Sequence, residues 1–319
     1  MPTTSQPSAA DLHVDRLLSM VSVAYMNPDD GYVADQVFPT IVVNKQTDQV
    51  AKYKKEDFFK NVAQLRAPGT KSTGYGWRVD SAVTYHCLQY ATHIDVPDEV
   101  RGNADTPFAP DRDSTMLIVD RLKLKRELAW ASDFFTTSVW GTDVTGGTDF
   151  TQWDNYGSSN PILDFQTGVD TIHSTTAIEA RNALFGRQVW SKLRHHPLLI
   201  ERIKYTQRGI LSKDIIASLL DLDKILIGNA IYASNQDGAT AAYSYVFGKN
   251  VLLYYAPARP GLMVPSCGYT FHWKVFGSIS SIRRVRLVEE MADRLVGYTA
   301  FDQKAIATDV GYFFSAAVS

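Results

Sequence analysis

Residues Lys52–Cys87 read KYKKEDFFKNVAQLRAPGTKSTGYGWRVDSAVTYHC. Near its end Trp77, Val79, Val83, Tyr85 and Cys87 occupy alternate positions, with Arg78, Asp80, Thr84 and His86 between them. That is the period-two pattern of a strand with one apolar and one polar face. The stretch from Thr47 to Phe59, TDQVAKYKKEDFF, is also strand-like but crowded with lysine. Between them Pro68, Gly69 and Gly74 mark a loop too long for a tight turn. A two-stranded ribbon is marginal by itself in water. Its charge makes the core of its own chain a poor partner, so the pattern predicts a hairpin that buries against something else.

Upstream, Val14, Leu17, Leu18 and Val21 recur at helical spacing, and Asn27–Tyr32 (NPDDGY) breaks that segment. Pro39 then sits inside the apolar run that starts at Val33, which favours an arm laid over other structure above a central strand. Downstream, Asp111 or Asp113 can cap a long helix after Pro110. Leu117, Leu124, Leu128, Ala131 and Phe135 form its narrow apolar stripe, and Arg121, Lys123, Lys125, Arg126 and Glu127 spread over the rest. So narrow a seam predicts a brace along a sheet, ending at Gly141. Helices and compact apolar strands alternate from Ile162 to Phe276, as in an α/β domain. The tail from Ile282 returns to charged strands suited to inter-strand or inter-subunit ion pairs.

The 319 residues are 45% hydrophobic and 21% charged with net charge −2, a globular composition without a global bias toward nucleic acid or acidic lipid. Cys87 and Cys267 do not suffice for a disulfide framework or a four-ligand zinc site and read as buried free thiols. No apolar run is long enough to span a membrane, and the start lacks a basic secretory leader. His195 and His196 are adjacent and cannot chelate one ion from a common helix face. Asp221 and Asp223 suit a turn, and Gly146–Gly147 lies in polar loop. FGKN (residues 247–250) lacks the rest of a phosphate loop, and Glu289 and Glu290 on one strand would point to opposite faces. The basic residues of 194–208 read as a solvated helical face. No catalytic constellation emerges.

Taken in order, ADQVFPTIVVNKQTD, the lysine-rich hairpin with RAPGT, NADTPF, the helix ending FFTTSVWGTDVTG, GRQVWSKLRHHPLLIERIKYTQRG, DKILIGNAIY, NVLLYYAP, GYTFHW and FDQKAIATDVGYFF resemble the major capsid proteins of tailed bacteriophages. The resemblance runs from about Val33 to Phe314. It implies an α+β fold of the Hong-Kong-97 capsid type, with an N-terminal arm (1–44) and an extended loop, the E-loop (45–92). A peripheral or P domain (93–161 and 277–319) would carry a spine helix at about 113–140, and an axial or A domain would cover 162–276. Copies would form hexamers and pentamers of an icosahedral shell around packaged DNA, without enzymatic activity or cofactor. Lys54, Phe58, Phe59, Arg66 and Trp77 would contact a neighbouring subunit, while Leu117, Leu124, Leu128 and Phe135 pack the spine.

The implied partners are other copies of the chain, portal, scaffolding and decoration proteins, and non-specifically held double-stranded DNA. No membrane is involved: the place implied is the virion, assembled in host cytoplasm. With some forty residues before the hairpin, scaffolding is expected from a separate protein or from a segment trimmed little. Lys52, Lys54, Lys55, Lys60 and Lys71 lie in the hairpin, but no acceptor for the cross-link of some relatives is identifiable. An encapsulin-like compartment shell shares the fold, and RAPGT and DQKAIATDVGY favour the phage reading over it. A soluble hydrolase with an unrecognised site is the rival of a different class.

Overall fold

The computed structural model describes residues 26–105, 108–203, 212–235, 238–257, 259, 264–276 and 281–319, without the side chains of 80–82 and 276. The stripe expected at Val14–Val21 lies outside the described residues, as do positions 204–208 of the basic stretch. In chain order, the first helix and strand are α1 (Ala34–Val37) and β1 (Thr40–Val43). The hairpin region follows as β2 (Thr47–Tyr53), α2 (Lys55–Phe59), β3 (Val79–His86) and β4 (Leu88–Pro97). Next come α3 (Asp98–Asn103), the long α4 (Pro110–Phe134) and β5 (Thr142–Thr145). The α/β stretch is α5 (Pro161–Thr176), β6 (Asn182–Gly186), α6 (Arg187–Leu193), α7 (Pro197–Ile203), α8 (Lys213–Leu219) and β7 (Lys224–Gly228). Strands close the chain: β8 (Ile231–Ala233), β9 (Tyr243–Tyr245), β10 (Val251–Tyr254), β11 (Gly268–Trp273), β12 (Ser281–Leu287), β13 (Ala292–Ala305) and β14 (Gly311–Ser315).

The first sheet is built on β13. Antiparallel β4 covers one flank from Ala292↔Pro97 to Phe301↔Leu88, while β12 and β11 share the other flank end to end. Parallel β1 sits outside β11 and begins just after Pro39, so the missing N–H falls outside the ladder. Across this sheet lies α4, whose first turn holds Pro110 and whose Asp113 accepts the Ala109 N–H at 3.2 Å. Gly297 makes the approach possible: a Cβ there would stand 2.2 Å from Ile118 Cγ2.

The buried face of α4 differs from the leucine stripe. Ile118, Leu122, Trp130 and Phe134 are buried, together with Arg126 and Glu127. Of the expected packing residues Phe135 is buried, Leu124 and Leu128 are half-buried, and Leu117 is exposed. The reason is that two charged residues find partners inside the chain. Arg126 reaches Asp35 at 2.8 Å and lies over the Phe301 ring, and Glu127 accepts the Val33 and Ala34 amides. Once these sites are buried, the seam turns away from 117–124–128 by roughly one residue's rotation of ~100° at its N-terminal end.

The second sheet runs β5-β14-β10-β6-β7 and is covered on both faces. Val251, Leu253, Phe185, Phe314 and Ile225 meet α5 to α8 through Phe165, Ile172, Trp190 and Ile216. Leu252, Tyr254, Leu184, Phe313 and Leu226 meet the C-terminal end of α4 and Phe38 of the arm. Double coverage explains why these strands read as unbroken apolar runs. It also moves elements across the boundaries read from sequence. β5 and β14, from the segments assigned to the P domain, lie in the second sheet; β11 from 162–276 and β1 from the arm lie in the first. Helix α4 ends at Phe134, where Trp140 Nε1 donates to the Phe134 carbonyl at 2.7 Å, short of the expected Gly141. Glu289 and Glu290 fall in the turn between β12 and β13 instead of on a strand.

Candidate inter-subunit surface

The hairpin has a root and a tip with opposite characters. At the root, β2 pairs with β3 from Thr47↔His86, with a register shift between Val50 and Lys52. Tyr85 stacks on Phe271 with ring centroids 4.5 Å apart, and Cys87 is buried beside it. The His86 N–H donates to Asp302 of β13 at 2.8 Å. The root therefore buries in the chain's own core, where sequence had predicted a foreign partner for the whole ribbon. Charge misled that expectation, because the lysines cluster farther out.

Toward the tip the chain is helical at α2 instead of extended. Asp57 organises it: its carboxylate accepts the Arg78 N–H at 2.9 Å, Arg78 Nε at 3.0 Å and Arg78 Nη2 at 2.7 Å, with Lys60 at 3.6 Å. Bonding to the Arg78 guanidinium pulls the Asp57 carboxyl down to about 2. The Tyr75 hydroxyl donates to the Asp57 carbonyl, and the Lys54 N–H donates to the Arg78 carbonyl at 3.0 Å. Edge-on contacts of Tyr53 with Phe58 and Trp77, at 5.9 and 5.2 Å, complete the clasp.

Of the residues expected at a subunit contact, Phe58, Phe59 and Trp77 are more than half exposed, at 51%, 60% and 62%. Phe58 and Trp77 each pack against Tyr53; Lys54 is half-buried, and Arg66 stands apart in the exposed loop next to the fully exposed Leu65. Exposed aromatic side chains held on a well-formed support have the chemistry that a docking surface requires. Between α2 and the body lies a cavity of about 660 Å³, walled by Phe58 and Phe59 on one side and Ile178, Val264 and Val310 on the other. Lys55 bridges to Asp309 at 2.6 Å beside it. Sequence reasoning missed Asp57 and Arg78, because twenty-odd residues of loop separate them and no periodicity links the two.

The charged tail strands are fastened within the chain. Arg101 bonds Asp98, Asp111 and Asp293; Arg284 reaches Asp111 at 2.6 Å, and Arg286 reaches Asp98 and Asp293. The bonds from Arg286 and Arg101 hold Asp98 and Asp293 below the usual carboxylate range, against the opposing effect of desolvation. The inter-strand pairing expected of this tail is present as a network tying β12 and β13 to α3 and α4.

The described residues hold one serine–histidine pair with the look of a catalytic dyad. His196 Nε2 lies 3.0 Å from Ser159 Oγ, and both residues are buried. Its Nδ1 accepts the Leu198 N–H at 3.3 Å, so the neutral ring carries its proton on Nε2 and donates to the serine. Ser159 in turn donates to the Asn155 carbonyl at 2.7 Å. The histidine has no free lone pair for that hydroxyl proton, and burial holds its pKa below the usual value. Among the described residues no three His, Cys, Asp or Glu side chains cluster as metal ligands, and no helix is long and apolar enough to cross a membrane. Cys87 and Cys267 are both buried; desolvation pushes Cys87 up to about 11 and Cys267 higher still.

No family model matches the chain. The major capsid protein of Burkholderia phage BcepMu is 23% identical over 310 residues, covering 95% of this chain and 96% of the relative. A phage-related protein from Bordetella bronchiseptica RB50 superposes with a TM-score of 0.72 at 20% identity, over 91% of this chain and 94% of that one. The capsid of cyanophage P-SCSP1u gives 0.63 at 11% identity, over 99% and 96%. The SrpI encapsulin of Synechococcus elongatus PCC 7942 gives 0.57 at 11% identity, over 98% and 95%. Along almost its whole length the chain is thus similar in sequence to a phage major capsid protein, and its fold is the one shared by phage capsid subunits and encapsulins.

Proposed function

We propose that this chain is the major capsid subunit of a tailed bacteriophage, assembling as hexamers and pentamers into the icosahedral shell that encloses packaged DNA. The observation that carries the reading is the hairpin, with its root locked into the first sheet and its preorganised tip presenting Phe58, Phe59 and Trp77 to solvent. The end-to-end relationship to a phage major capsid protein supports it. The role is structural and non-enzymatic, and the product resides in the virion. Residues 45–92 serve as the E-loop over a neighbouring copy, with Lys54, Phe58, Phe59, Arg66 and Trp77 at the contact. The first sheet with the front of α4 is the P domain, and the second sheet with α5 to α8 is the A domain. Portal, scaffolding and decoration proteins and the enclosed duplex are its further partners.

An encapsulin-like compartment shell is the second reading, favoured by the shared fold alone. Neighbouring genes separate the two: portal and terminase for a phage, a cargo enzyme for a compartment. The direct test is deletion of Asn61–Gly74, a segment outside helices and strands whose residues are almost all exposed. The deletion chain is expected to be folded and soluble and to form no shells under electron microscopy. Normal particles from it would sink the assignment of the hairpin.

A further inference from the structure

Away from the hairpin, the short ribbon β8–β9 has an apolar face with no cover. Ile231 pairs with Tyr245 and Ala233 with Tyr243, so the four side chains share one face. All are exposed, Tyr243 at 70%. Ala230 and Ser234 bond to the β9 side, through Val246 N–H to the Ala230 carbonyl and Ser234 N–H to the Ala242 carbonyl. The peptide groups of Ile231 therefore face away from β9. They are taken by one side chain: Asn27 Nδ2 donates to the Ile231 carbonyl at 3.0 Å, and the Ile231 N–H donates to Asn27 Oδ1 at 3.1 Å. Asn27 thus stands in for a third strand at the ribbon's outer edge, and there the upstream chain enters the described structure.

We propose that the residues preceding Met26 cover this ribbon, with Val14, Leu17, Leu18 and Val21 against Ile231, Tyr243 and Tyr245 of the same chain. The stripe is apolar at helical spacing and matches an apolar face in need of a third layer. Val21 and Asn27 are six positions apart, a reach of up to ~20 Å, so the stripe meets the ribbon without strain. Tethering at Asn27 gives it an effective concentration on the order of millimolar, which a separate molecule has to match. The inference does not rest on the shell reading.

The test is hydrogen exchange by mass spectrometry on the full, unassembled chain, comparing wild type with Leu17→Asp/Leu18→Asp and with Tyr243→Ser/Tyr245→Ser. The first pair is expected to speed exchange in 231–233 and 243–245 by about tenfold or more, and the second to do the same in 14–21. Both effects should be independent of protein concentration. Unchanged exchange in either direction overturns the proposal. So does protection that rises with concentration and survives the leucine substitutions, because the cover is then a second copy.

Discussion

Glu127 lies on α4, 2% exposed, with Oε1 accepting the Val33 N–H at 2.7 Å and Oε2 the Ala34 N–H at 2.9 Å. The adjacent Arg126 turns its guanidinium to Asp35 instead. Burial, the largest effect, raises the Glu127 carboxyl from 4.5 to about 7; the two amides and Arg126 oppose it and Asp35 reinforces it. Between those two values the folded chain holds a proton that the unfolded chain has released. Stability from this group is therefore full below pH 4.5 and falls as pH rises through that window, for a total of about 3 kcal/mol. Glu127→Gln removes the titration. It also swaps one acceptor oxygen for an amide NH₂ facing a backbone donor, a pH-independent cost of about 1–3 kcal/mol.

The difference in unfolding free energy between variant and wild type should therefore move by about 2–3 kcal/mol in favour of the variant from pH 5 to pH 8, whatever the constant offset. Urea unfolding of the unassembled chains at four pH values measures it, and titrations elsewhere, such as His196, cancel in the difference. A difference constant across that range, or one moving the other way, would refute the claim that the arm docks on a carboxylate poised near neutrality.

Leu122→Asp should abolish soluble folding, because the charge would sit 6% exposed against the first sheet. Leu124→Asp, one of the leucines picked out by spacing, should cost about 1–2 kcal/mol and leave native circular dichroism, since that position is half-buried. Gly297→Ala should destabilise by about 1–3 kcal/mol in denaturant unfolding, because its Cβ would stand 2.2 Å from Ile118 Cγ2 and force α4 off the sheet.

The hairpin, the long helix and the α/β body were legible because each has a local signature: alternation over Val79–Cys87, the proline ahead of a long helix at Pro110, and the apolar runs Ile225–Ile227 and Val251–Tyr254. What periodicity hid was pairing at a distance. Arg126 and Glu127 read as solvated because their partners lie in the arm, some ninety residues upstream. Asp57 read as one more charge on a strand because Arg78 lies across the loop. The pairing of Gly311–Ser315 with β10 and β5 was not legible because sheet membership follows from which neighbours cover both faces, and a single strand does not carry that information.

The split of the hairpin into a locked root and an exposed tip bears on how strong each contact in the proposed shell can be. Ordering a residue costs about 1–2 kcal/mol, and a segment already ordered before docking avoids that cost. The clasp of Asp57, Arg78 and Tyr75 has met it for α2 and Trp77 before any neighbour arrives. Beyond Lys60 the internal bonds are sparse, such as Thr70 to the Ala67 carbonyl and Thr73 to Gln64. In the proposed shell that stretch would be ordered on docking, at a cost that offsets part of what Leu65 and its neighbours could contribute. The aromatic patch on α2 should therefore supply most of the net affinity and the loop mainly specificity. In the proposed shell each contact would then stay weak enough to break and reform during closure, and the many copies together would hold it shut.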